Sequence, residues 1–183
     1  GLALSDLVAN YGPLPPARAA YLMRQVCASL AEAHANNLIH RDIKPQNIMT
    51  CELHGERDVV KVLDFGLVKR LDGADTRDLT RSLRILGTPL YMAPERIHNP
   101  SDVGPRTDIY SLGAVGYFLL TGKRLYETDN DHDLTYHILH VPAPRASAHA
   151  PRPIPPEFDD LIAQCLAKDP ADRPADVGAV AAR

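Results

Sequence analysis

Two carboxylates, an ammonium and an amide stand close enough in this sequence to handle a phosphoryl group. Asp42, Lys44 and Asn47 share the segment 42–47, and Asp64 follows a short apolar run that ends at Leu63. An acid that orients a hydroxyl, a cation that balances moving charge, and an amide with a carboxylate that offer oxygens to Mg²⁺ are the parts phosphoryl transfer needs. Each is weak alone, since an isolated Asp-Phe-Gly reads as a turn and an isolated His-Arg-Asp as a charged surface stretch. Their weight depends on whether the elements between 42 and 64 fold back on one another.

The local patterns say that they do. Apolar pieces at 38–39, 48–49 and 59–63 read as short strands, with the polar run His54-Gly55-Glu56-Arg57 as the turn of a hairpin between the last two. Asp42 lies before that hairpin and Asp64 directly after it, so closing the hairpin brings them near each other. Upstream, Ser5 offers an N-cap for a short helix that Gly12 and Pro13 end. Pro15 and Pro16 open a second helix, whose stripe Leu22, Met23, Val26, Cys27, Leu30 and Ala33 recurs at helical spacing to about Asn36.

Downstream, residues 68–84 have no helical or strand period, which predicts a surface loop with functional reasons for its length. Residues 107–120 predict an apolar helix with little polar face, stopped by Thr121-Gly122 and buried at the centre. Gly113 and Gly116 there allow close helix packing in a core. An amphipathic helix at 131–139, a Pro-rich connector at 142–156, a helix at 157–167 broken by Asp169-Pro170, and a last helix beginning at Pro174 complete the chain. The fold class is mainly α: a helical bundle around a buried central helix with a small β-hairpin, all in one domain over 1–183.

Composition removes several classes. The chain has 183 residues, 45% hydrophobic, with a formal charge of -3, so no basic field is present to attract DNA or RNA. Its three cysteines, Cys27, Cys51 and Cys165, form no CxxC pair and fit a reducing, cytoplasmic setting. The apolar stretch 112–120 is well short of the roughly 20 residues needed to span a bilayer, so no membrane contact is expected of this segment. His137 and His140 could share a metal, but no third ligand follows, and a solvated helix face is the expectation.

The run His40-Arg41-Asp42-Ile43-Lys44-Pro45-Gln46-Asn47, followed by Asp64-Phe65-Gly66 and Ala93-Pro94-Glu95, resembles the eukaryotic-type (Hanks-type) serine/threonine protein kinases, with a bacterial flavour. The resemblance covers essentially the whole chain and implies the large, C-terminal lobe of such a kinase. It implies that Asp42 orients the acceptor hydroxyl, that Lys44 steadies the transferred phosphoryl group, and that Asn47 and Asp64 hold Mg²⁺ against ATP. Gln46 and Met49 match positions facing the ribose and adenine. Lys44 and the segment Gly87-Thr88-Pro89-Leu90-Tyr91 match the serine/threonine branch, in which Thr88 shapes the pocket for the acceptor residue of a protein substrate.

Arg41 matches the class in which an activation-loop phosphate pairs with the guanidinium beside the catalytic Asp. Thr76, Thr80 and Ser82 are the candidate acceptors, with Thr80 or Ser82 favoured because they lie nearer Gly87-Thr88 and have Arg77, Arg81 and Arg84 around them. His40, Phe65, Asp108, Glu95 and Arg173 match supporting positions: Asp108 for the backbone at His40-Arg41, Glu95 for pairing with Arg173. A homodimer for trans-autophosphorylation stays open. The glycine-rich loop, strand lysine and helix glutamate of the family's ATP-gripping lobe have no match here, so the chain is expected to act only with such a lobe. A pseudokinase scaffold and a small-molecule kinase are the rival readings; the intact Asp42, Lys44, Asn47 and Asp64 oppose the first, and the segment from Gly87 to Glu95 opposes the second.

Overall fold

The computed structural model describes residues 1–64, 90–99, 102–128 and 130–183. Phe65, Thr80, Ser82 and Thr88, named above for support, phosphorylation and substrate binding, lie outside the described residues.

The centre is the helix Pro105–Thr121, called α4 in the order used below, which is buried along almost its whole length. Pro105 suits a first-turn position, and Gly122 ends the helix at φ 70°, donating its N–H to the Phe118 carbonyl at 2.8 Å. A helix apolar all round must be covered on every side. The long α2 (Pro16–Ala35) lies on one side and α6 (Pro156–Cys165) on another. The short α7 (Val177–Ala181) closes against α2. Around these sit α1 (Leu4–Tyr11), α3 (Pro94–His98) and α5 (Asp131–His140). Cys27 and Cys165 are buried in this core, and burial pushes both thiols up to about 12, so they pack as small apolar groups. No helix among the described residues is long and apolar enough to cross a membrane.

Two glycines let α4 approach its neighbours. A Cβ on Gly113 would stand 2.7 Å from the Cys165 Cβ and 3.4 Å from its carbonyl carbon, while one on Gly116 would meet only side-chain tips, Ile162 Cδ1 at 2.5 Å and Met23 Sδ at 2.7 Å. Backbone cannot yield as a methionine tip can. Gly113→Ala is therefore expected to destabilise by about 1–3 kcal/mol, even against the helix propensity it gains, and Gly116→Ala by less. Denaturant midpoints of the two variants check this order, and a Gly116→Ala loss at least as large would contradict it.

Among the described residues the sheet holds three antiparallel strands in the order β1 (Leu2–Ala3), β2 (Ile48–Leu53) and β3 (Glu56–Val62). Ile48 pairs with Val62 at the base of the hairpin, and Leu53 pairs with Glu56 across a two-residue turn. His54 and Gly55 both take positive φ there, 51° and 85°, as tight hairpin turns favour. Asp58 sits at φ 59° where the register shifts. α2 grips that irregularity: Arg18 donates two bonds to the Asp58 carboxylate at 2.7 and 2.8 Å, and Gln25 bonds the Asp58 carbonyl and the Val60 N–H. The Arg18 hydrogen bonds hold the Asp58 carboxyl below the usual range. The hairpin is thus fixed to the helical body.

Several boundaries differ from the sequence reading. Ser5 is not the N-cap: Ala3 is, in an extended conformation, because Leu2–Ala3 is already tied to β2. Residues 38–39 form no strand, Glu56 and Arg57 belong to β3 instead of the turn, and the last helix starts at Val177, capped by the Asp176 side chain on the Ala179 N–H, instead of at Pro174.

Candidate active site

The hairpin base builds the site. The 3-10 turn Pro45–Asn47 leads into β2, and the Leu63 N–H donates to the Asn47 carbonyl at 2.8 Å, so the residue before Asp64 is bound to Asn47. Asn47 is buried, and its side-chain Nδ2 donates to both the Asp42 carbonyl at 2.8 Å and Asp42 Oδ2 at 2.9 Å. Both partners are acceptors, which settles the amide's orientation and leaves its oxygen on the opposite side. Lys44 Nζ reaches the same Asp42 Oδ2 at 2.7 Å. Among the described residues nothing bonds Asp42 Oδ1. One carboxylate oxygen is anchored by two donors and the other faces away from them.

The Asp42–Lys44 pair keeps 36% and 31% of its side-chain surface in solvent, so the group is open to a ligand. Asp64 is exposed and takes φ 62°, while Gln46 is exposed on the turn and Met49 is half-buried on β2 opposite Lys61. The amide oxygen of Asn47 and the carboxylate of Asp64 are hard donors, of the kind Mg²⁺ takes together with phosphate and water. Among the described residues no cluster of His, Cys, Asp or Glu is dense enough to hold a metal by itself.

Beneath the site, Asp108 from the first turn of α4 is fully buried and accepts the His40 and Arg41 N–H groups, each at 2.9 Å, and bonds His34 Nε2 at 2.9 Å. His40 Nδ1 accepts the Asp42 N–H at 3.3 Å, so its proton belongs on Nε2, which donates to the Leu63 carbonyl at 2.8 Å. One imidazole therefore links the segment carrying Asp42 to the strand end before Asp64. On the far side, Arg173 bonds both Glu95 carboxylate oxygens at 2.7 and 2.8 Å, and Thr107 donates to Glu95 at 2.8 Å. Burial alone would raise the Glu95 carboxyl, but the Arg173 hydrogen bonds and charge hold it below its ordinary range.

The structure thus brings Asp42, Lys44 and Asn47 into direct contact, sets Asp64 at the end of the strand bonded to Asn47, and places His40, Arg41 and Asp108 directly beneath. Sequence reasoning missed His34 and Arg96, a residue of α3 whose Nη1 donates to the Arg41 carbonyl. It also missed the positive φ at Arg41 and Asp64, 66° and 62°, in non-glycine residues. Such outliers cluster at functional sites, yet only the mild tolerance of Asp for this region hints at the second.

A mainly helical body that holds an Asp-Lys-Asn group at the base of a hairpin defines the protein-kinase class. The chain belongs to the protein kinase family: the model described as protein kinase domain matches residues 1–182. It is 40% identical over 182 residues to the serine/threonine-protein kinase PknL of Mycobacterium tuberculosis, covering 100% of this chain and 43% of that protein. The serine/threonine-protein kinase pkn3 of Myxococcus xanthus is 38% identical over 177 residues, 96% of this chain and 32% of that protein. Among solved structures, Rad53 in complex with AMP-PNP aligns with a TM-score of 0.76 at 27% identity, over 99% of this chain and 43% of that one. The chain therefore spans less than half the length of these relatives.

Proposed function

We propose that the protein carrying this chain transfers the γ-phosphoryl group of ATP to serine and threonine hydroxyls of proteins, and that residues 1–183 are the large lobe working with an ATP-gripping lobe. The observation that carries this reading is the Asp42 carboxylate, whose Oδ2 is held by Lys44 and Asn47 while Oδ1 is left without a partner among the described residues. A carboxylate fixed in this way can accept a hydrogen bond from an acceptor hydroxyl at Oδ1, aim its oxygen and take its proton as the bond to phosphorus forms. Lys44, already paired with Asp42, offers positive charge where charge moves onto the transferred group.

Asn47 and Asp64 would hold Mg²⁺, which supplies charge neutralisation of the phosphate oxygens when bound. Gln46 and Met49 are proposed to line the nucleotide, Thr88 to shape the acceptor pocket, and Arg41 to pair with a phosphate on Thr80 or Ser82. The resemblance to kinases named for serine and threonine supports the choice of acceptor.

The test is incubation of the full-length protein with γ-labelled ATP and a mixed protein substrate, with Mg²⁺ or with excess chelator, followed by identification of the labelled residues. Label on serine and threonine in the Mg²⁺ sample, falling to background with chelator, is expected. Label confined to tyrosine, or none at all, would sink the proposal.

A further inference from the structure

The peptide bond that joins Arg41 to Asp42 is held at both of its polar ends. Its N–H reaches His40 Nδ1 at 3.3 Å, and its carbonyl accepts from Arg96 Nη1. This peptide follows a residue with φ of 66°, a conformation that costs free energy for any side chain but glycine and persists only where surrounding contacts impose it. Asp108 imposes it from one side, through the His40 and Arg41 N–H groups; the carbonyl side depends on Arg96. Arg96 directly follows Glu95, whose pairing with Arg173 fixes α3 to the helical body.

Arg96 is a costly residue to keep there. Burial works against its charge; Asp42, Asp108 and Glu95 offset that cost, and the neighbouring Arg41 guanidinium adds to it. A residue serving only to fill space would be cheaper as an apolar side chain. Taking Asp42 as the group that receives the hydroxyl proton, we propose that Arg96 is a positioning residue for it. By holding the Arg41 carbonyl, it keeps the peptide from rotating out of the strained conformation, and so keeps the Asp42 carboxylate turned toward Lys44 and Asn47. Arg96 touches no reacting atom.

The experiment compares full-length wild type, Arg96→Met, Arg96→Lys, Asp42→Asn and the Arg96→Met/Asp42→Asn double variant, with kcat, KM for ATP, KM for a Ser/Thr peptide and thermal midpoint measured for each. Arg96→Met is expected to lower kcat by about 10- to 100-fold, the scale of a misplaced catalytic group, with both KM values within about twofold of wild type. Arg96→Lys, which retains a charged N–H donor group, should recover most of the loss. In the Asp42→Asn background the Arg96 change should cost little more, because the group it positions is already disabled.

Unchanged kcat in Arg96→Met, a peptide KM that rises in step with the loss, or a lysine no better than methionine would each overturn the assignment. Should Arg96→Met not fold, Arg96→Gln takes its place: its shorter amide cannot reach the Arg41 carbonyl as the guanidinium does, so a kcat fall of about 10-fold without a KM change is expected, and wild-type kcat would overturn the assignment. Activity retained by Asp42→Asn would instead remove the reading of Asp42 itself, and so separates the two failures.

Discussion

Asp42→Asn in the full-length protein is expected to reduce phosphate transfer to a Ser/Thr peptide by about 10²–10⁴-fold, with the thermal midpoint within a few degrees of wild type. The two sites of the carboxylate explain the size. Lys44 Nζ and Asn47 Nδ2 both donate to Oδ2, so an asparagine there must put its amide oxygen in that place. Its NH₂ then occupies the position of Oδ1. A donor would face the incoming hydroxyl where an acceptor is needed, and it could take no proton. The packing hardly changes, because the new side chain has the same shape and a third of the old one was already in solvent. ATP binding should change little as well. A variant within about threefold of wild-type kcat would show that Asp42 does not receive the proton, however well it is placed.

That the group assembles at all was largely legible in the sequence, and the reason is spacing. Long periodic stretches announce themselves, so α2 and α4 appear close to where their patterns put them. The hairpin could be read because two apolar runs flank His54-Gly55, and its closure dictates that Asn47 and Leu63 meet. The short elements were not legible. β1 has two residues and exists only because β2 offers it an edge, and α3 has five, too few for any period to show. Residues 38–39 looked strand-like because they are apolar, but among the described residues no strand pairs with them. The last helix begins after Pro174 because the Asp176 side chain supplies the cap.

The supporting residues divide in the same way. Asp108, Glu95 and Arg173 could be named only through the kinase resemblance, since no local pattern links an α4 carboxylate to backbone 68 residues away. Arg96 and His34 carry no such marker: an arginine after Pro94-Glu95 is an ordinary helix residue until the fold sets it against the Arg41 carbonyl. The bond between Glu95 and Arg173 crosses 78 residues and joins α3, which carries Arg96, to the turn before α7.

That pair should dominate stability. Arg173→Met is expected to cost about 3–5 kcal/mol, a fall in melting temperature of about 6–20 °C for a domain of this size, because it leaves the Glu95 carboxylate buried without its countercharge, held by the Thr107 hydroxyl and a backbone N–H. Glu95→Met should cost less: the guanidinium would keep the carbonyls of Ala167, Arg106 and Lys168 and the Tyr110 ring at 5.0 Å. The double variant should lose less than the sum, as neither charge is then stranded. The pH dependence gives the sharper distinction. With Arg173 present the Glu95 carboxyl lies below its unfolded value of about 4.3, so its contribution is complete above that pH and is lost as acid protonates the folded form. Without Arg173, burial, the largest influence on this carboxyl, is opposed only by the backbone and Thr107 hydrogen bonds, so the folded carboxyl is expected to rise above the unfolded one and the sign to reverse: the variant should gain stability as pH falls from 7 toward 5. The gap in melting temperature between wild type and Arg173→Met should therefore narrow over that interval. If it stays constant or widens, the cost of the substitution lies in lost packing and the three stranded carbonyls, and the ion pair is not what ties α3 to the helical body.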